Sequence, residues 1–117
     1  MTAENIPPVR PLLIDNYESF TYNIYQYICE INRCAPTVIR NDEMTWDQIA
    51  GLDYDNIVIS PGPGSPAVPA DFGVSAEAIL RSDVPVLGIC LGHQGIGHLF
   101  GFFGQALFAS RFFVQLL

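Results

Sequence analysis

Four short, largely apolar runs limit what this chain can fold into. Leu12-Leu13-Ile14, Thr37-Val38-Ile39, Ile57-Val58-Ile59 and Val84 to Ile89 lack the apolar–polar alternation of a half-exposed strand. The first three stop at turn formers, namely Asp15-Asn16, Asn41-Asp42 and Ser60-Pro61-Gly62. Longer segments with helical spacing separate them. Phe20 to Ile31 places Ile24, Tyr27, Ile28 and Ile31 on one predicted face, with Ser19 available as N-cap. Thr45 to Ala50 reads as a short helix capped by Thr45, with Asp47 in its first turn. Ser75 to Arg81 and Gly92 to Phe100 complete a strand–helix alternation. The proline in the fourth run, Pro85, falls near the strand start, where a missing N–H is tolerated.

Strands that are apolar on both faces belong to a parallel sheet covered by helices. The expected class is α/β, three-layered, with a mostly parallel, flavodoxin-like sheet. Ligands of such sheets bind beyond the carboxyl ends of the strands. Asp15-Asn16, Ser60 to Gly64 and Cys90-Leu91 each follow a strand and are expected to converge there.

Gly88-Ile89-Cys90-Leu91-Gly92 has the spacing of a nucleophile elbow, small–x–nucleophile–x–small, between an apolar strand and a helix. Its turn lifts the side chain above the sheet and crowds the flanking backbone, which the two glycines relieve. The helix start puts N–H donors beside the sulfur, a setting suited to attack on an acyl group. A lone cysteine beside an apolar strand is ordinarily a small core residue; the symmetric glycines reverse that reading for Cys90. Cys29 and Cys34 have no such setting and are assigned to packing. In Ser60-Pro61-Gly62-Pro63-Gly64-Ser65-Pro66, prolines stiffen the loop and glycines let backbone N–H groups approach a ligand. An oxyanion hole needs donors held in that way. By itself the loop would pass for a Pro/Gly-rich surface turn.

The 117 residues carry a net charge of -7, and all five basic residues are arginines. Such an acidic surface disfavours nucleic acid and membrane surfaces as partners. The three cysteines show no CxxC or zinc-type spacing, and an odd count without a secretion signal predicts a reducing, cytoplasmic setting. Residues 1–10 have neither a basic nor an apolar signal region and are expected to be a disordered lead-in.

The elbow and the Pro-Gly loop, in this order and separation, resemble the class I (triad-type) glutamine amidotransferases. So does the opening Leu13-Ile14-Asp15-Asn16-Tyr17-Glu18-Ser19-Phe20, with Glu18 where that family usually has aspartate. The resemblance covers residues 11–101. It implies that Cys90 attacks the side-chain amide of glutamine, giving a glutamyl thioester and ammonia. The backbone N–H groups of Gly62 and Leu91 would form the oxyanion hole, and Gln94 would contact bound glutamine. His93 belongs to the motif without being the catalytic histidine, and His98 reads as a helix surface residue. Neither a cofactor nor a metal is implied.

Within the family, Gly92 to Gly101, Arg40-Asn41-Asp42-Glu43 and Asp71 to Ser75 are similar to aminodeoxychorismate synthases. In those the amidotransferase works with a chorismate-aminating synthase component, fused or separate. Anthranilate synthase component II shares nearly all the same motifs, so both pathways stay open. The His-x-Glu stretch that supplies the family's base and orienting carboxylate has no counterpart here: no His or Glu follows His98. The fold is therefore expected to be incomplete at its C-terminus and the chain inactive alone, and a non-catalytic interaction module is the competing reading. A hydrolase of γ-glutamyl peptides would share the elbow but not the opening segment or the Pro-Gly loop. Residues 102–117 are aromatic-rich with one charge, Arg111, and depart from the family. They read either as a helix capping the open sheet or as the product of a shifted reading frame or mis-splicing.

Overall fold

The computed structural model describes residues 9–99. The expected lead-in (but for Val9 and Arg10), the tail and Phe100 lie outside the described residues. The elements are β1 (Pro11–Asp15), α1 (Phe20–Asn32), β2 (Thr37–Arg40), α2 (Trp46–Ala50), β3 (Asn56–Ile59), α3 (Pro69–Phe72), α4 (Ser75–Arg81) and β4 (Val86–Gly88). A further helix, α5, follows over 91–99.

All strand pairs are parallel and the order is β2-β1-β3-β4. Register places Ile14 beside Ile39 and Ile59, and Leu13 beside Val38 and Val58. Because side chains alternate across a strand, these two rows face opposite ways. Leu12, Ile14, Ile39, Ile57, Ile59 and Val86 bury one face under α2, α3, α4 and α5 through Trp46, Ile49, Phe72, Ala78, Ile79, Leu91 and Ile96. Leu13 and Val58 face α1, where Ile24 is buried. The result is the expected three-layer α/β arrangement with the flavodoxin-type order.

Four local expectations change. β2 is an edge strand, so only Ile39 of its four residues is buried; it is not apolar on both sides. Ser19 occupies the N-cap position of α1 but has helical backbone angles and makes no side-chain cap. Asp15 instead braces the turn before the helix: its Oδ1 accepts from the Tyr17 N–H (2.9 Å), the Glu18 N–H (3.3 Å) and Thr21 Oγ1 (2.9 Å). Tyr27 and Ile31 are exposed, Ile31 to 85%, because among the described residues α1 alone covers its sheet face. A hollow of about 350 Å³ opens between α1 and Val58, Leu87 and Ile89. Finally, α3 was not legible as a helix; Pro69 at its first turn is the one start signal. By contrast, Thr45 does cap α2, in a reciprocal capping box with Gln48.

Ile49 and Ile31 give a clean test of which helix faces hold the fold. Ile49→Ala, at a fully buried site, should cost about 2–5 kcal/mol. Ile31→Ala should stay within about 0.5 kcal/mol. Urea unfolding of both variants, followed by circular dichroism, reads the difference.

Candidate active site

β1, β3 and β4 are neighbours in the sheet, so the segments leaving their carboxyl ends lie side by side. Asn16 follows β1, Ser60 follows β3, and Ile89-Cys90 follow β4. Ser60 N–H still donates to the Ile14 carbonyl (3.0 Å), and Ile89 N–H to the Ile59 carbonyl (3.0 Å), so ladder bonding runs up to the edge of the site.

Cys90 has φ +53°, in the left-handed region, and is exposed. A non-glycine residue held there stores strain, which persists only where surrounding structure fixes it. The fixing contacts are visible on both sides. A Cβ on Gly92 would lie 2.7 Å from the Ile59 carbonyl oxygen and 2.9 Å from the Ile59 side chain. One on Gly88 would lie 2.6 Å from the Gly92 backbone. Strand, turn and helix therefore meet with no room for a side chain at either glycine, as the elbow spacing predicts. Gln94 N–H donates to the Cys90 carbonyl (2.9 Å), closing the first turn of α5.

The Pro-Gly loop arrives against this turn. A Cβ at Gly62 would fall 2.5 Å from Asn16 Cβ, 2.7 Å from the Asn16 carbonyl oxygen and 2.9 Å from Leu91 Cδ2. Gly62, Asn16 and Leu91 are thus packed together, and all three predicted segments converge. Leu91 is buried and opens α5, so its N–H is among the donors a helix leaves without an intrahelical acceptor. Further along the loop, Ser65 N–H donates to Asp71 Oδ2 (3.1 Å), tying it to α3.

Gln94 is exposed, one turn beyond Cys90. His93 is half-buried and its backbone presses on Gly88; His98 is exposed. At the rim, Tyr17 also has positive φ (+63°), donates its hydroxyl to Asp42 Oδ1 and lies under the Arg40 guanidinium at 5.1 Å. The hydrogen bond to Asp42 raises the Tyr17 pKa above its ordinary value, because a phenolate there would face a carboxylate. Among the described residues, no three His, Cys, Asp or Glu side chains gather as a metal site, and no helix is long and apolar enough to cross a membrane.

The profile of the family described as "Glutamine amidotransferase class-I" matches residues 12–105. The chain belongs to this family. It is 52% identical over 105 residues to the chloroplastic aminodeoxychorismate synthase of Arabidopsis thaliana, covering 85% of this chain and 11% of that protein. Against aminodeoxychorismate synthase of Streptomyces pristinaespiralis it is 54% identical over 94 residues, 80% of this chain and 13% of that protein. Anthranilate synthase component 2 of Methanothermobacter marburgensis is 50% identical over 95 residues, 77% of this chain and 48% of that protein. The chain therefore spans about half of the anthranilate relative and about a tenth of the aminodeoxychorismate ones.

The sequence placed Asn16 among the converging strand ends but did not show its burial, nor that Asn41 and Ser75 lie buried beneath the loop with it. Asn16 and Asn41 follow strands directly, where they pass for simple turn punctuation. The tightness of the elbow is directly testable. Gly92→Ala should destabilise by about 2–3 kcal/mol through overpacking on Ile59. Gly51→Ala, where a Cβ finds ordinary contact at 3.5 Å and φ is negative, should change stability by less than about 1 kcal/mol. Thermal unfolding of the two variants decides it.

Proposed function

We propose that the chain carries the glutamine-hydrolysing half of an ammonia-transferring enzyme, with Cys90 as nucleophile. The single observation behind this reading is Cys90 itself, an exposed thiol at φ +53° between two close-packed glycines, with Gly62 packed on the neighbouring Leu91. Sγ adds to the side-chain carbonyl carbon of glutamine, and the C–N bond breaks. The amide nitrogen leaves as ammonia once a proton reaches it, and a glutamyl thioester remains. Water then cleaves the thioester to glutamate and regenerates the thiol. The N–H groups of Gly62 and Leu91 receive the negative charge that develops on the carbonyl oxygen, and Gln94 contacts the substrate.

Proton transfer in both steps requires a base and an orienting carboxylate. We assign these to a His-x-Glu segment of the family that these 117 residues do not contain. The chain by itself then acylates slowly and does not turn over. We assign the ammonia to a chorismate-aminating synthase component, forming 4-amino-4-deoxychorismate. The resemblance of Gly92 to Gly101 to aminodeoxychorismate synthases supports this choice over the anthranilate route.

Labelling with the glutamine-like electrophile 6-diazo-5-oxo-norleucine tests the core of the reading. Sγ displaces dinitrogen and forms a thioether; peptide mapping should place the adduct on Cys90 and find none in Cys90→Ser. Adducts on Cys29 or Cys34 instead would overturn the assignment. Steady-state glutamine hydrolysis by the 117-residue chain would overturn the assignment of the base to a later segment. For the pathway, the chain should co-purify with an aminodeoxychorismate-forming synthase component when it is co-expressed with that component and an anthranilate-forming one. Preference for the latter reverses that choice.

A further inference from the structure

Asn16 is only 1% exposed and sits under the Pro-Gly loop with every polar atom of its side chain engaged. It grips Ser60 twice. Its backbone N–H donates to Ser60 Oγ (2.9 Å), and its Nδ2 donates to the Ser60 carbonyl (2.9 Å). The Ser60 hydroxyl donates in turn to the Pro61 carbonyl (2.8 Å). On its other side, Asn16 Oδ1 accepts from Asn41 Nδ2 (2.9 Å) and Ser75 Oγ (3.1 Å). Those two donors fix which end of the amide is oxygen and leave Nδ2 only one direction to point. Asn41 is itself held, donating from Nδ2 to the Asp71 carbonyl (3.0 Å) and accepting at its own carbonyl from Val74 N–H (2.8 Å).

Burying this many polar groups is costly unless each is paired, and an apolar side chain would fill the space at lower cost. What the polar cluster adds is direction. Apolar packing does not set the rotation of a peptide plane; a hydrogen bond to its carbonyl does. The Ser60 carbonyl belongs to the Ser60–Pro61 plane; across Pro61, whose ring fixes φ, the next plane joins the Pro61 carbonyl to the Gly62 N–H.

We propose that Asn16 is a positioning residue for acylation of Cys90. Through Ser60 and Pro61 it aims the Gly62 N–H, while Asn41 and Ser75 orient its amide. The proposal rests on the oxyanion role given above to Gly62, and its test separates the two. The full 117-residue chain and its Asn16→Ala and Ser75→Ala variants are compared by two measurements. The first is the backbone ¹⁵N order parameter of Gly62, which needs no substrate chemistry. The second is the rate of Cys90 labelling by 6-diazo-5-oxo-norleucine divided by the rate with iodoacetamide, which cancels changes in general thiol reactivity.

In Asn16→Ala the Gly62 order parameter should fall from the rigid range near about 0.85 to below about 0.6. The labelling ratio should drop about 10-fold or more, the scale expected when one oxyanion donor is misplaced. Ser75→Ala should move both in the same direction, with the ratio down about 3-fold, and it decides the matter if Asn16→Ala does not fold. An unchanged Gly62 order parameter, or equal slowing by both reagents, overturns the positioning role. If the unsubstituted chain shows no preference for the glutamine-like reagent, the amidotransferase reading fails instead, and the Gly62 order parameter still judges Asn16.

Discussion

The approach of Gly92 to the backbone of Ile59 is the contact on which the site depends. It seats α5 directly on β3, since a Cβ there would lie 2.7 Å from the Ile59 carbonyl oxygen. With the helix that close, the chain has no residues to spare between β4 and α5 and must reverse within Ile89-Cys90. That reversal is what forces Cys90 to φ +53°. It also carries Leu91 against Gly62, so the geometry of the thiol and that of the neighbouring loop have one origin.

Such a turn is worth about 1–3 kcal/mol of strain, and the packing around α5 is arranged to hold it. Leu91 and Ile96 are buried in the larger core with Ile59 and Phe72, and the Phe72 ring packs directly on Gly95. Each fixes the helix along a different part of its length. Relaxing Cys90 into an ordinary backbone conformation would require withdrawing these side chains from the core. The short helix α3 matters for this reason: it brings Phe72 to α5 and Asp71 to the loop at once.

Much of this was legible in the sequence because it rests on backbone sterics. The glycines at 88 and 92 and the apolar runs specify the sheet and the elbow without reference to distant residues, and the same holds for Thr45 as the cap of α2. What escaped notice depends on pairing across the chain. Asn16 lies 44 residues from Ser60 and 59 from Ser75, and nothing near Asn16 in sequence announces either partner. The bracing of the turn before α1 by Asp15 escaped for a related reason: the β1 exit places its carboxylate over three donors at once. The exposure of Ile31 likewise depends on how many helices cover that face of the sheet, which the spacing of apolar residues within α1 does not encode.

The same distinction explains why one half of the proposed chemistry can be present without the other. A nucleophile at an elbow and a pair of N–H donors are built from strand ends and a helix start, all supplied by β1, β3, β4 and α5. A general base instead needs a side chain that titrates near neutrality and reaches the thiol. The sequence holds two histidines. His98 is seven residues into α5 beyond Leu91, about 10 Å along the axis at 1.5 Å per residue, too far for a hydrogen bond to Sγ. His93 stands in the first turn, half-buried, with its backbone pressed on Gly88, and the family motif carries it without a catalytic role. The base that the proposed reaction requires is therefore assigned to neither of them.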